Sequence, residues 1–288
     1  MKYSLITLVA LFIVNISYAQ IQKVEISSDG IQLNAYMYQA EGDGLKPTIV
    51  WCHGNPGGKE EGTSKFALKL NDKNINILRF NYRGLWDTEG VYTLANCQRD
   101  LKNVLDFVLS KDKSEIYKID TSRIIVAGYS QGANIAIVSA LYDDRIKEVF
   151  CLGLGDLSYI ARQFFNYDNP EMKKITQMAL DGIWGGITSG QGDYARDFDK
   201  YVMDILFNNY KYDFVVQADK LKDKRIYLIV GMNDLTGPIE EHFFPLYRKL
   251  KAMNHNDFKY DITMSDHSFS ELYDGRLSEM IAQWIHEK

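Results

Sequence analysis

The sequence predicts an α/β fold in which a mostly parallel sheet is covered by helices on both faces. The chain has 288 residues, 46% of them hydrophobic, which is enough to bury the core of one large domain. From residue 47 onward, short apolar runs typical of buried strands alternate with segments of helical periodicity. This alternation is typical of a parallel sheet whose crossover helices cover both faces. Residues 156–219 interrupt the alternation, because they contain no convincing strand.

An antiparallel hairpin opens the predicted domain. Two alternating segments, Ile21–Ser28 and Ile31–Gln39, are separated by a Ser-Asp-Gly turn signature. Further strands are predicted at Pro47–Cys52, Ile75–Phe80, Ile124–Ala127, Val149–Leu154, Ile226–Val230 and Phe258–Met264. Helices are predicted at Lys59–Asn71, Leu94–Leu109, Ala133–Leu141, Ile239–Met253 and Phe269–His286. The predicted domain is therefore a core of residues 20–155 and 220–288 with a mostly helical insertion at residues 156–219.

The first 19 residues have the features of a secretory signal peptide. Lys2 precedes the apolar run Leu5–Ile16, and the small residues Ser17 and Ala19 occupy the −3 and −1 positions before Gln20. The apolar run is shorter than the ~20 residues that span a bilayer, which favours cleavage over a membrane anchor. We therefore expect an exported protein, periplasmic or extracellular, with no stable membrane anchor.

Charge and cysteine content argue against several kinds of function. The net charge is −5 and no lysine or arginine run occurs, so nucleic acid is not an expected partner. Three cysteines, at positions 52, 97 and 151, are too few and odd in number for a disulfide scaffold. We interpret them as buried thiols. None has a CxxC partner, and we expect neither a metal nor an organic cofactor.

Residues 128–132 (Gly-Tyr-Ser-Gln-Gly) form a GxSxG motif between a predicted strand and a predicted helix. A serine on such a sharp turn projects its hydroxyl from the carboxyl edge of the sheet, and glycines on either side avoid collisions. The turn also leaves the amide of Gln131 at a helix N-terminus, where it can stabilise an oxyanion. Ser130 is therefore the predicted nucleophile.

A serine nucleophile needs a general base, and the base needs an orienting acid. His267 follows the last predicted strand and Asp234 follows the one before it, so both are expected at the sheet edge that carries Ser130. Asp156 also follows a strand and is the rival acid, whereas Asp266 is disfavoured because a sequence neighbour of the base generally points elsewhere. The remaining histidines outside the first loop are interpreted as surface residues: His242, His255 and His286.

The second oxyanion donor is expected in residues 53–58 (His-Gly-Asn-Pro-Gly-Gly), which follow a predicted strand. A loop so rich in glycine can place a backbone N–H against a reacting carbonyl. The amide of Asn55 is the candidate, because Pro56 has no N–H. We interpret His53 as a structural residue that holds the loop rather than as a base.

Together these segments resemble the α/β-hydrolase superfamily, and most closely its branch of exported esterases and prolyl-oligopeptidase-like hydrolases. The resemblance rests on residues 53–57, 81–84 (Asn-Tyr-Arg-Gly), 89–90 and 128–132, with Asp234 and His267. It implies an eight-stranded, mostly parallel sheet with a helical cap after the sixth strand, and residues 156–219 fit that cap. Cys52 and Cys151 would then lie on non-adjacent strands, which argues against a disulfide between them.

The chain departs from this family at one point. Relatives often carry Gly-x-Ser where this sequence has Leu-Trp-Asp-Thr at residues 85–88, so we expect Trp86 to reshape the pocket near the oxyanion loop. Trp86, Tyr129 and Trp184 are the candidate substrate-binding residues, the last as part of a lid. Arg83 is interpreted as a structural ion-pair partner.

The predicted reaction is hydrolysis of a carboxylic ester through an acyl-enzyme. The length of the sequence leaves no room for the propeller that prolyl-oligopeptidase relatives use to admit peptides, which favours a small-molecule ester as substrate. A small peptidase or amidase and an acyltransferase remain alternatives. A non-catalytic binding protein on the same scaffold is a further alternative, against which the complete set of Ser130, Asp234 and His267 argues.

Overall fold

The computed structural model describes residues 20–159, 161, 174 and 198–287. The predicted signal peptide, Trp184 and most of the insertion lie outside these residues. In the described part of the chain, no helix is both long and apolar enough to cross a membrane.

A single eight-stranded sheet organises the molecule, as the sequence predicts. The strand order is β1-β2-β4-β3-β5-β6-β7-β8; β2 is antiparallel to β1 and β4, and all other pairs are parallel. The strands are β1 (Gln20–Ser28), β2 (Ile31–Gln39), β3 (Lys46–Cys52), β4 (Asn76–Phe80), β5 (Ile119–Tyr129), β6 (Glu148–Leu152), β7 (Arg225–Gly231) and β8 (Phe258–Thr263).

The described helices cover both faces of the sheet. They are α1 (Lys65–Asn71), α2 (Leu94–Leu109), α3 (Lys111–Ile116), α4 (Gln131–Ala140), α5 (Phe198–Phe207), α6 (Asn209–Tyr212), α7 (Ile239–His242), α8 (Phe244–Ala252) and α9 (Arg276–His286). Strand β3 is buried along its whole length, with Val50 and Cys52 in the core on one face and Ile49 and Trp51 in the core on the other. A strand between two helical layers therefore shows a continuous apolar run rather than alternation.

Three predicted helix boundaries are wrong, each for a local reason. The first helix begins at Lys65 rather than Lys59, because the hydroxyl of Ser64 accepts a hydrogen bond from the amide of Ala67 and caps it there. The helix predicted at Ile239–Met253 divides at Phe243, since Pro245 lies in the first turn of the second part and supplies no N–H to the first.

The last helix begins at Arg276 instead of Phe269. Gly275, at a φ of 138°, precedes it, and a short 3₁₀ turn occupies Ser270–Leu272. Helix α3 was not predicted, and it buries none of its side chains. An element without a buried face leaves little periodic signal in the sequence.

The cysteines lie where the sequence places them. Cys52, Cys97 and Cys151 are all buried and free. Gly128 of β5 lies between Cys52 on β3 and Cys151 on β6, so the two strands are not neighbours. Burial raises the pKa of the Cys52 thiol to about 12, which keeps it protonated and unreactive.

The interpretation of His242 as a surface residue is wrong. Its side chain is buried, and its Nδ1 accepts a hydrogen bond of 2.7 Å from the amide of Asp156. His255 is half-buried with its Nε2 2.9 Å from the carbonyl oxygen of Leu221, whereas His286 is exposed as expected. A helical pattern alone does not reveal that the short helix α7 is packed into the loops beyond β6.

Candidate active site

Ser130 occupies a sharp turn between the end of β5 and the start of α4. Its backbone has φ 55° and ψ −122°, a strained conformation for a residue with a side chain, and its amide donates to the carbonyl of Leu152 over 2.8 Å. A Cβ on Gly128 would lie 2.2 Å from the carbonyl oxygen of Gly132, and one on Gly132 would lie 2.0 Å from that of Cys52. Both glycines of the motif are therefore required by backbone contacts that leave no space for a side chain.

The side chains of Ser130, His267 and Asp234 form a continuous hydrogen-bonded chain. His267 Nε2 lies 2.8 Å from Ser130 Oγ, and His267 Nδ1 lies 2.7 Å from Asp234 Oδ2. The three residues come from the carboxyl ends of β5, β8 and β7, because parallel strands present these ends at one edge of the sheet.

The carboxylate of Asp234 is buried and fully engaged. Its Oδ1 accepts from the amides of Thr236 and Gly237, over 2.9 and 2.8 Å, while Oδ2 faces the imidazole. Burial acts to raise the pKa of Asp234, but the hydrogen bonds from His267, Gly237 and Thr236 outweigh it and lower the pKa below its ordinary value of 3.8. Asp234 is therefore ionised at neutral pH and suited to orient an imidazole.

Tyr129 and Phe269 hold the loop that carries His267. The Tyr129 hydroxyl donates to the carbonyl of His267 over 2.7 Å, so the residue before the nucleophile is bonded to the loop of the candidate base. Phe269 is buried in a left-handed conformation at φ 48°, directly under Gly153, where a Cβ would lie 2.8 Å from its ring. The Tyr129 phenol, a candidate for substrate binding, thus has its hydroxyl in a structural contact.

The glycine-rich loop after β3 lies against the start of α4. A Cβ on Gly132 would also meet the carbonyl oxygen of His53 at 2.5 Å, which shows how closely the two backbone segments approach. Asn55 and Gln131, the two candidate oxyanion donors, therefore belong to adjacent segments beside Ser130. Gln131 begins α4, so its amide has no acceptor within the helix.

Asn81 fixes the far end of this loop. Its Oδ1 accepts from the amide of Glu60 over 2.8 Å, and its Nδ2 donates to the carbonyl of Gly58 over 3.0 Å. The buried carboxylate of Glu60 in turn accepts from Arg79 Nε over 2.6 Å. The path of the loop is therefore held by hydrogen bonds to Asn81 and by the ion pair of Glu60 with Arg79.

His53 lies inside the loop and is buried. Its Nδ1 lies 2.6 Å from the carbonyl oxygen of Gly54, and its ring packs on Tyr82 at 4.6 Å between centroids. A Cβ on Gly57, at φ 66°, would overlap the His53 imidazole. Burial lowers the pKa of His53 to about 4, so the ring is neutral at pH 7. These contacts agree with the interpretation of His53 as the residue that holds the loop.

Trp86 lies beside the same loop. Its Nε1 donates to the carbonyl of Pro56 over 3.3 Å, and its backbone φ is 54°. The half-buried indole therefore packs against the glycine-rich loop that contains Asn55. The departure from the family pattern at residues 85–88 led us to expect Trp86 near this loop.

The rival acids lie apart from the hydrogen-bonded chain. The carboxylate of Asp156 accepts from the hydroxyl of Ser158 and the amide of Tyr159. Asp266 is exposed and accepts from Ser268. Arg83 is buried against Asp100, with 2.6 Å between guanidinium and carboxylate, and is a structural ion-pair partner as predicted.

A contact that the sequence did not predict surrounds the side chain of Gln131. Its Nε2 donates to the hydroxyl of Tyr92, and its Oε1 accepts from the hydroxyl of Tyr201 over 2.9 Å. The motif drew attention only to the backbone amide of Gln131. The two tyrosines are 39 and 70 residues away in sequence and belong to no motif, so no local signal could have identified them.

Comparison with known families shows where the chain belongs. The BD-FAE family model matches residues 33–177, half of the chain. The protein is a member of the BD-FAE family, within the α/β-hydrolase superfamily. The matched residues include the glycine-rich loop after β3 and Ser130, and they end before Asp234 and His267.

Curated relatives of this BD-FAE protein match over a limited stretch. The quorum-quenching protein AidA of Acinetobacter baumannii is 27% identical over 130 residues, which are 44% of this chain and 41% of that protein. An uncharacterized protein of Salmonella typhi, YfhR, is 23% identical over 112 residues and 34% of its length. The chain thus spans less than half of the length of these relatives.

Solved structures match over nearly the whole chain. An acylaminoacyl peptidase of Pyrococcus horikoshii aligns with a TM-score of 0.67 at 15% identity, covering 95% of this chain and 42% of the peptidase. An esterase of Pyrococcus furiosus aligns with a TM-score of 0.60 at 18% identity, covering 93% of this chain and 92% of the esterase. At such identities these matches show that the BD-FAE protein shares their fold.

Among its described residues, no group of three or more His, Cys, Asp or Glu side chains could hold a metal ion.

Proposed function

We propose that the protein is a serine hydrolase that cleaves a carboxylic ester by acyl transfer to water. The observation that carries the proposal is the contact of Ser130 Oγ with His267 Nε2 at 2.8 Å. The other ring nitrogen of His267, Nδ1, lies 2.7 Å from Asp234 Oδ2. A hydroxyl is a weak nucleophile unless a base within hydrogen-bond reach removes its proton. These distances support His267 as that base and Asp234 as the acid that orients it.

The proposed reaction has two steps. Ser130 Oγ attacks the ester carbonyl while His267 takes its proton, and Asp234 stabilises the resulting imidazolium. The amides of Asn55 and Gln131 stabilise the oxyanion, and His267 returns the proton to the departing alcohol as the C–O bond breaks. Water then attacks the acyl-Ser130 ester with His267 as base, which releases the carboxylic acid and restores the serine.

One structural relative supports an ester as the substrate. This chain and the Pyrococcus furiosus esterase align over 93% of the chain and 92% of the esterase. The candidate substrate contacts of Trp86 and Trp184 belong to the same proposal.

Export is also part of the proposal. Residues 1–19 would be removed, and N-terminal sequencing of the protein from its natural host should begin at Gln20.

A panel of p-nitrophenyl esters of increasing acyl length, run against aminoacyl p-nitroanilides, tests the proposed substrate class. We expect ester turnover to exceed anilide turnover, and the Ser130→Ala variant to lose both. A fluorophosphonate probe should label the wild-type protein at Ser130, as read by mass spectrometry of the labelled peptide. Faster anilide cleavage would indicate a peptidase, acyl transfer to an added alcohol in preference to water would indicate an acyltransferase, and absence of labelling would indicate a non-catalytic protein.

A further inference from the structure

The side chain of Gln131 is held at both ends of its amide group. Tyr92 accepts a hydrogen bond from Nε2, and Tyr201 donates one to Oε1. All three side chains are buried: Gln131 is 6% exposed, and the two tyrosines are each 1% exposed. The tyrosine rings also stack on one another, with centroids 5.5 Å apart and planes 15° apart. Since neither ring is open to solvent, neither is placed to contact a substrate directly.

The two tyrosines come from different parts of the chain. Tyr92 precedes helix α2, whereas Tyr201 lies on α5, which follows the undescribed part of the insertion. Helix α5 has a second attachment beside the first: Asp204 Oδ2 accepts from the amide of Ala95 over 2.8 Å, at the start of α2. A carboxylate at a helix N-terminus is favoured by the unsatisfied amides and the dipole there. Helix α5 is therefore fixed to the core beside the residue that follows the nucleophile.

The two tyrosines satisfy both ends of the Gln131 side-chain amide. The phenol of Tyr201 donates to the amide oxygen, and the phenol of Tyr92 accepts from the amide nitrogen. Burial raises the pKa of both phenols well above the ordinary value, so both keep their protons through the neutral and alkaline range. Leaving a buried amide without partners is costly, which keeps the arrangement fixed.

We propose that Tyr92 and Tyr201 are positioning residues that orient the backbone amide of Gln131 toward the oxyanion of the acyl-transfer reaction. This inference rests on the proposed function, and it makes α5 part of the catalytic machinery. The backbone of Gln131 follows the strained Ser130, so its orientation is not set by regular helical geometry alone. Fixing the side chain at two points restricts rotation about the same Cα that carries the amide.

A positioning role differs from ordinary packing in what it changes. An oxyanion donor acts on the transition state, so its displacement lowers kcat and leaves KM nearly unchanged. It also weakens binding of a trifluoromethyl ketone, which forms a tetrahedral adduct with the serine, in parallel with kcat. If the tyrosines only pack in the core, their substitution would lower thermal stability and leave kcat and the affinity for the ketone unchanged.

Tyr201→Phe and Tyr92→Phe each remove one hydroxyl and keep the stacked rings. Tyr142→Phe is the matched control, because the Tyr142 hydroxyl donates to Gln217 Oε1 over 2.8 Å at a surface away from Ser130. With the p-nitrophenyl ester that the wild type cleaves best, we expect kcat to fall about tenfold in each single variant and about a hundredfold in the double variant. The inhibition constant of the trifluoromethyl ketone should rise by the same factors, KM should change less than twofold, and Tyr142→Phe should match the wild type.

The outcomes separate this inference from the proposed function. If wild-type protein hydrolyses esters through Ser130 and both Tyr→Phe variants keep kcat within twofold, the positioning role is overturned and the serine hydrolase stands. If the wild type has no Ser130-dependent activity, both fall, since no oxyanion forms. Should Tyr201→Phe fail to fold, as judged by circular dichroism, Tyr92→Phe alone decides, because it acts on the other end of the same amide.

Discussion

The two sides of Ser130 are built from different kinds of groups. On one side the groups are side chains: His267 lies 2.8 Å from Ser130 Oγ, and Asp234 lies 2.7 Å from His267. On the other side, the candidate oxyanion donors are backbone amides, of Asn55 and Gln131. A side-chain substitution can delete an imidazole or a carboxylate, whereas every residue except proline keeps its backbone N–H.

The two sides are also held differently. The loop of His267 is held by the Tyr129 hydroxyl and by the ring of Phe269 under Gly153. On the oxyanion side, Asn81 bonds the glycine-rich loop, and Tyr92 and Tyr201 bond the side chain of Gln131. Substitution of these side chains would act on the backbone amides only indirectly. We therefore expect all-or-none effects from substitutions on the first side and graded effects on the second.

The largest effect should come from removing the proton-transfer groups. Ser130→Ala and His267→Ala are each expected to lower kcat at least ~10³-fold. The first variant lacks the nucleophilic hydroxyl, and the second lacks the base that would take its proton. Both variants should fold, as measured by thermal denaturation. His286→Ala, at an exposed histidine on α9, is the control and should keep wild-type kcat. A His267→Ala variant with a kcat near wild type would remove the basis for the comparison.

Asp234→Asn should lower kcat about 10³-fold, since an amide cannot enforce the tautomer that a carboxylate does. Its effect on stability should depend on pH. The folded-state pKa of Asp234 is lowered below 3.8, so the carboxylate stabilises the folded state above its unfolded pKa, and this contribution disappears as the pH falls through the folded pKa.

Melting curves of wild type and Asp234→Asn between pH 7 and pH 3 check this second effect. The stability gap between the two proteins should be widest at neutral pH and should narrow as the pH falls below 3.8. A gap that widens on acidification would contradict the assigned direction of the pKa shift.

The close approach of the two sides is tested by Gly132→Ala. The added Cβ would lie 2.0 Å from the carbonyl oxygen of Cys52, so either the glycine-rich loop or α4 must move. We expect a loss of about 1–3 kcal/mol in the free energy of unfolding and a fall in kcat of about 10²-fold. Gly58→Ala is the matched control, because a Cβ at Gly58 meets nothing within 4 Å. Equal activity of the two variants would show that the loop tolerates displacement.

Sequence reasoning predicted that Ser130, Asp234 and His267 lie at one edge of the sheet, but it did not predict the side-chain contacts around Gln131. Ser130, Asp234 and His267 each follow a strand directly, and the parallel order of the sheet brings the ends of those strands to one edge. Position in the chain and residue type were therefore enough to name them. All eight strands were also predicted, the first two from alternation around a turn signature and the other six from short apolar runs.

The supports of the oxyanion side were not predictable, for a physical reason. Tyr201 meets Gln131 through a contact between residues 70 positions apart, and its environment depends on how α5 packs on the core. His242 shows the same limit, since its burial follows from loops that meet only in the folded chain. Patterns of period 2 or 3.6 report which face of an element is buried, and they carry no information about which polar groups meet there.

Asn81→Ala should produce a graded effect of the kind expected for the oxyanion side. It leaves the amide of Glu60 and the carbonyl of Gly58 without their partner, at a cost of about 1–3 kcal/mol in unfolding free energy. We expect kcat to fall about tenfold as the glycine-rich loop loosens.

Asn76→Ala is the matched control for Asn81→Ala. Asn76 is a buried asparagine at the opposite end of β4, with hydrogen bonds to Ala40 and Tyr117. It should lose a similar amount of stability and keep its kcat. If both variants lose activity equally, the fall reflects general destabilisation and Asn81 has no particular influence on the loop.

The smallest effect concerns His53 and appears in stability alone. Burial lowers the pKa of His53 from 6.5 to about 4, so between these pH values the unfolded chain binds a proton that the folded chain does not. Stability should therefore fall as the pH is lowered from 6.5 to 4, and His53→Gln should lack this part of the slope. The difference in melting temperature between wild type and His53→Gln should shrink across that interval. A difference that stays constant from pH 7 to pH 4 would mean that the imidazole of His53 takes up a proton in the folded protein as readily as in the unfolded chain.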